Sequence, residues 1–208
     1  MKIYLPDHGH KDRREWCRLN NVGLLYSPHR DKLPVRDHPF IIDNGAFPAW
    51  RKGKELDLSR YAAFIKKVES RGLIPDFSVL PDIVMGGMKS LGFSMNNKGM
   101  IPEAWPRYLA VQDGIYPAIL EDLIPLIDGI FIGGSIIWKW RTAETWVRFA
   151  HENSISCHIG RVGTERNYLR AFGTGADSID GSSPMRHRTY EKINEWRARI
   201  TEEATLWG

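Results

Sequence analysis

Carboxylates and glycines recur where short apolar runs stop. Ile41-Ile42-Asp43-Asn44-Gly45, Leu80-Pro81-Asp82 and Ser178-Ile179-Asp180-Gly181 each end on an aspartate. Displacement at an anomeric carbon with retention uses one carboxylate as nucleophile and a second to handle the leaving group's proton. Asp43, Asp82 and Asp180 are therefore candidates for a nucleophile, a proton carrier and a substrate anchor. Val111-Gln112-Asp113-Gly114, Ile132-Gly133-Gly134-Ser135 and His158-Ile159-Gly160-Arg161 are further polar ends. Gly133-Gly134 would let a substrate approach the backbone, whose N–H groups can bind an exocyclic oxygen. Gln112, His158 and Gly160 join them as candidate substrate contacts. A single aspartate after a strand is an ordinary turn or cap residue; six such ends in succession argue for a shared site.

Those ends need a scaffold that brings them together. Eight candidate strands are legible: 2–5, 22–26, 40–43, 76–80, 108–112, 129–132, 156–159 and 178–180. Helical periodicity lies between them, over 58–70 (with Asp57 or Ser59 as cap and Gly72 closing it), 117–127, 142–152, 164–172 and 188–206. Alternating strands and helices predict βα units and a parallel sheet. Eight units close into a (β/α)8 TIM-like barrel, here one domain over residues 1–208, with all strand ends opening on one face. A doubly wound open sheet is the alternative. The stretch 85–105, with glycines at 86, 87, 92 and 99, reads as an irregular loop overhanging that face.

Metal chemistry finds little support. Seven histidines are present, two of them in His8-Gly9-His10, but none form a His-x-x-x-His pair. Cys17 and Cys157 cannot make a four-thiolate zinc site, so neither a metal nor a cofactor is expected. Hydrophobic residues make up 42% and charged residues 26%, the balance of a globular domain and not of a disordered one. Apolar runs such as Gly129-Ile130-Phe131-Ile132 are far too short to span a membrane, and the first residues lack a signal-peptide pattern, so a cytoplasmic location is expected. The net charge of +4 is compatible with a polyanionic partner. Arg51-Lys52, Trp138-Lys139-Trp140-Arg141 and Arg186 follow strand ends, where a phosphate backbone would pass. Arg51, Lys52, Lys139, Arg141 and Arg186 are therefore candidate nucleic-acid contacts, with the tryptophans as candidate base-stacking surfaces.

From about residue 40 to 187 these motifs resemble, in order, those of the tRNA-guanine transglycosylases. Asp43-Asn44-Gly45-Ala46-Phe47 is similar to Asp-Ser-Gly-Gly-Phe/Tyr-Gln, Val111-Gln112-Asp113-Gly114 to Val-Gln-Gly-Gly, and Ile132-Gly133-Gly134 to the family's Ile/Val-Gly-Gly. Ile159-Gly160-Arg161-Val162-Gly163-Thr164 resembles Met-Gly-Val-Gly-Thr with one residue inserted. Gly175-Ala176-Asp177-Ser178-Ile179-Asp180, with Pro184 and Arg186 following, is similar to Gly-Val-Asp-Met-Phe-Asp. The resemblance implies a barrel enzyme that exchanges guanine in a polynucleotide for a 7-deazaguanine such as 7-cyano-7-deazaguanine. By that resemblance Asp180 is the nucleophile and Asp43 carries the proton between bases. Asp82 would read the base's N1 and 2-amino edge, while Gln112 and the Gly133-Gly134 backbone would bind O6. The family's bacterial members carry a Cys-x-Cys-x-x-Cys…His zinc subdomain that helps hold tRNA, and this sequence has no such ligands. Ala46, Pro48-Ala49-Trp50 and Asp113 also differ from the motifs. DNA is therefore expected over tRNA, as in the branch found in phages and bacterial modification clusters. A homodimer is a further expectation drawn from the family. Water in place of an incoming base would make the same barrel a DNA glycosylase or nucleoside hydrolase.

Overall fold

Alternation of side chains along each short strand produces two apolar layers, one inside the sheet and one outside it. Tyr4, Leu25, Ile41, Phe77, Val79, Tyr108 and Ala110 form one buried cluster with Phe131 against it, and this fills the lumen. Their sequence neighbours, among them Ile3, Leu5, Leu24, Ile42, Leu109, Ile130 and Ile179, pack outward against helix residues such as Tyr61, Ile65, Trp146 and Ala171. Burial on both faces is what a parallel sheet covered by helices requires.

The computed structural model describes residues 1–30 and 32–206. Among them the strands are β1 (Lys2–Pro6), β2 (Gly23–Tyr26), β3 (Phe40–Ile42), β4 (Phe77–Val79), β5 (Arg107–Val111), β6 (Gly129–Ile132), β7 (Ser156–Ile159) and β8 (Ser178–Asp180). They pair in sequence order as a closed parallel barrel. Closure sets Tyr4 of β1 opposite Asp180 of β8. The open-sheet alternative is thereby excluded. The helices are α1 (Lys11–Leu19), α2 (Ala46–Trp50), α3 (Leu58–Glu69), α4 (Met88–Asn96), α5 (Pro117–Leu120), α6 (Ile136–Glu152), α7 (Glu165–Gly173), α8 (Ser183–Arg186) and α9 (Lys192–Leu206).

Local chemistry explains the boundaries. Asp57 caps α3 by accepting from the Arg60 N–H at 2.9 Å, Ser135 caps α6 and Thr164 caps α7, each an effect of about 1 kcal/mol. Segment 85–105 is not an irregular loop. It contains α4 and a 3-10 turn over Lys98–Met100. Buried Ser90 and Ser94 obscured the helix: they interrupt its apolar stripe, yet Ser90 Oγ accepts from the Ile83 N–H and Ser94 Oγ donates to the Pro81 carbonyl. Segment 117–127 divides into α5 and a 3-10 turn at Pro125. α6 begins at Ile136, six residues before the expected start, and so absorbs the Trp-Lys-Trp-Arg run.

Candidate active site

The strand ends enclose a cavity of about 560 Å³ at the C-terminal mouth of the barrel, lined by Asp43, Asp82 and Asp180 together with Gln112, Gly133 and Gly134. Six of the eight residues expected to be catalytic or to bind substrate thus converge on one space. The other two, His158 and Gly160, stand behind it.

Asp180 is the last residue of β8 and turns into the lumen. Its Oδ1 accepts from His158 Nε2–H at 3.0 Å and from the Arg161 N–H at 3.3 Å. Both bonds fall on one oxygen, leaving Oδ2 open to the cavity. His158 is completely buried, its ring stacked on Phe131 at 4.8 Å and edge-on to Phe77 at 5.1 Å. Burial lowers its pKa, so the neutral ring prevails. With Asp180 Oδ1 as the acceptor, the ring proton sits on Nε2. Nδ1 then accepts from Ser178 Oγ at 2.8 Å. His158 is therefore placed to orient the Asp180 carboxyl and does not itself line the cavity.

Asp43 follows β3, with its Oδ1 accepting from the Gly45 N–H at 2.7 Å. Its recessed position, together with the charges of Asp180 and Asp82, raises its pKa to about 7 despite that hydrogen bond. Burial also raises Asp82 to about 6, against the opposing effects of Asn44 and Arg161. Asn44 ties the two strand ends together. Its Nδ2 donates to Asp82 Oδ1 at 2.8 Å and to the Leu80 carbonyl at 2.7 Å, while its Oδ1 accepts from the Ala46 N–H. Two carboxyls with raised proton affinities, Asp43 and Asp82, at the same mouth as Asp180 suit acid and base steps near neutral pH.

The backbone donors are unequal. The Gly133 N–H is committed to the Val111 carbonyl at 2.9 Å, which leaves the Gly134 N–H as the donor a ligand could use. Gly134 holds φ +67°, and a β-carbon there would lie 2.6 Å from the Trp138 ring and 2.7 Å from Asp113 Oδ2. Asp113, which departs from the resembled motif, fixes this turn by accepting from the Ser135 N–H and Oγ–H, both at 2.7 Å. Gln112 Nε2 donates to the Ile83 carbonyl at 2.9 Å.

The basic candidates separate. Arg51, Lys52 and Arg186 line the cavity. Lys139 does not. It is 2% exposed, its Nζ donates to the Gly160 carbonyl, and burial lowers its pKa to about 7. Gly160 thus anchors α6 beneath the site; a β-carbon on it would lie 2.5 Å from the Phe131 ring. Arg141 is exposed on α6, away from the cavity-lining set. Trp138 packs near Trp146, and the Trp140 ring receives the Arg170 guanidinium at 5.0 Å, so neither tryptophan is presented for base stacking. Arg161 was legible only as an inserted residue. It enters the cavity with φ +62°, lies 4.5 Å over the Phe47 ring and donates to the Gly134 carbonyl. His29 and Arg30, in a 3-10 turn after β2, also line the mouth, and no motif singled them out.

Neither a protein-family model nor a curated protein matches this chain. The site therefore speaks through its own geometry. Among the described residues no cluster of three or more His, Cys, Asp or Glu is arranged to hold a metal ion, and no helix is long and apolar enough to cross a membrane. Both cysteines are buried free thiols.

Proposed function

We propose that the protein exchanges a guanine base in DNA for a 7-deazaguanine through a glycosyl-aspartate intermediate. The observation that carries this reading is Asp180, held on one oxygen by neutral His158 and open on the other, beside a carboxyl raised to about 7. Asp180 Oδ2 attacks C1′, and the C1′–N9 bond breaks with its electron pair leaving on the base. Protonated Asp43 supplies the proton the departing guanine takes. The incoming base then gives its N9 proton to Asp43, attacks C1′ from the face the guanine left, and releases the Asp180 carboxylate. Two displacements return the original configuration. Asp82, Gln112 and the Gly134 N–H offer the base an acceptor, an amide and a donor. No step calls for a cofactor.

A cavity with an anionic floor and Arg30, Arg51, Lys52 and Arg186 at its mouth suits a sugar held deep and phosphates held shallow. The cationic mouth would carry either a DNA or an RNA backbone, which the following exchange test separates. The test is exchange on DNA carrying labelled guanine, with 7-cyano-7-deazaguanine as incoming base. Expected is release of label with matching incorporation, abolished in Asp180→Ala. Label released without incorporation, leaving abasic sites, would indicate hydrolysis instead. Exchange confined to tRNA would reverse the choice of polynucleotide.

A further inference from the structure

The rim of the cavity is divided in two. Arg30 after β2, Arg51 and Lys52 after β3, and Arg186 after β8 make one side cationic. The ends of β4, β5 and β6 instead carry exposed apolar side chains: Ile83, Met85 and Met88 after β4, Tyr116 after β5, and Ile136 and Ile137, which are 68% and 73% exposed, after β6.

The β4–α4 connection is the sharpest part of this apolar arc. Asp82 and Val84 line the cavity, while the intervening Ile83 and the following Met85 are exposed. The segment is pinned at its base. The Ile83 N–H donates to Ser90 Oγ, the Ile83 carbonyl accepts from Gln112 Nε2 and the Gly86 N–H, and Ser94 Oγ holds the Pro81 carbonyl. Met85 is held at φ +60° with half its surface exposed. Keeping a non-glycine residue there costs about 1 kcal/mol or more, a cost that functional sites commonly carry. A rigid apolar tip at the lip of the cavity, beside a cationic arc, matches the two surfaces of a nucleic-acid strand: charged backbone outside, stacked bases inside.

We infer that the β4–α4 tip, led by Met85, is a wedge that enters the base stack of a DNA duplex where the target nucleotide has swung into the cavity. It covers the unstacked neighbouring faces while the cationic arc carries the strand's phosphates. The inference rests on the proposed exchange of a base in DNA. Taking a nucleotide out of a duplex costs a few kcal/mol, and apolar side chains inserted at a step offset part of that cost. An unpaired strand pays little of it, so the wedge acts mainly on duplexes.

The test compares exchange on a short duplex holding one target guanine with exchange on the same strand alone, for the unaltered protein and for Met85→Gly and Met85→Ala. Met85→Gly relieves the positive φ, so loss of folding would not account for its effect. The expected result is a duplex-to-single-strand rate ratio lowered about 10-fold or more in both variants, corresponding to the loss of about 1.4 kcal/mol or more of stack replacement. An unchanged ratio overturns the wedge, as does exchange by the unaltered protein on single strands only. A variant that dissociates a dimer in light scattering while leaving the ratio unchanged assigns the arc to a second copy of the chain and also overturns it. No exchange by the unaltered protein on either substrate overturns the proposed function itself.

Discussion

Asp43 and Asp180 are both aspartates at strand ends, yet their surroundings prepare them for different work. Asp180 receives two N–H donors and keeps one oxygen free. Asp43 has one N–H donor and two anionic neighbours, and its carboxyl holds its proton to about pH 7. The linkage has a definite sign. A folded pKa raised above the unfolded value means that stability is full below about pH 4 and falls as pH rises through about 7. Asp43→Asn, which keeps the acceptor for the Gly45 N–H, should therefore raise stability by about 2–4 kcal/mol at about pH 8, with the gain vanishing in acid, while exchange is lost. Urea melts at the two pH values check this. A gain that persists in acid would mean that packing, not charge, sets it. His158→Phe makes a complementary case. The buried aromatic is retained but the Nε2–H donor to Asp180 is removed, so kcat should fall by about 10-fold or more with KM little changed. An equal effect on KM would show that His158 touches substrate after all.

At the scale of elements, the loops are built to hold unusual backbone. Gly134→Ala would require both a positive φ for a β-carbon residue and movement of Trp138 and Asp113. A loss of about 2–4 kcal/mol in denaturant unfolding is expected, with exchange falling alongside. Melting indistinguishable from the unaltered protein would mean that the turn relaxes freely. The strands were legible because lumen and outer residues alternate in short runs such as Tyr108-Leu109-Ala110-Val111, and the barrel followed from their number and spacing. α4 was hidden because its buried face uses serines, whose hydroxyls serve the preceding loop. Lys139 misled for the opposite reason. A basic residue between tryptophans reads as surface, and only the contact with the Gly160 carbonyl from the neighbouring strand end shows why it is buried. Arg161, Arg30 and Asn44 belong to the site through tertiary placement, which spacing along one chain does not encode.

The whole molecule sets anionic chemistry at the bottom of a cationic and apolar mouth. Its net charge of +4 is modest, so affinity for a polyanion depends on where the charge lies. Duplex binding should weaken with salt, and replacing Arg51 and Lys52 together by alanine should reduce the slope of log affinity against log salt by about 2. Fluorescence anisotropy across a salt series measures this; an unchanged slope would place the backbone elsewhere. Arg141→Ala, away from the cavity lining, should leave that slope as it is.

The most direct test of the central claim is capture of the covalent intermediate. Protein mixed with guanine-containing DNA, denatured before any replacement base is added, should yield a protein–DNA adduct on a denaturing gel. Peptide mass mapping should locate it at Asp180. Adding 7-cyano-7-deazaguanine before denaturation should clear the adduct, and Asp180→Asn should never form it. An adduct mapped to another residue, or full exchange by Asp180→Asn, would contradict the account.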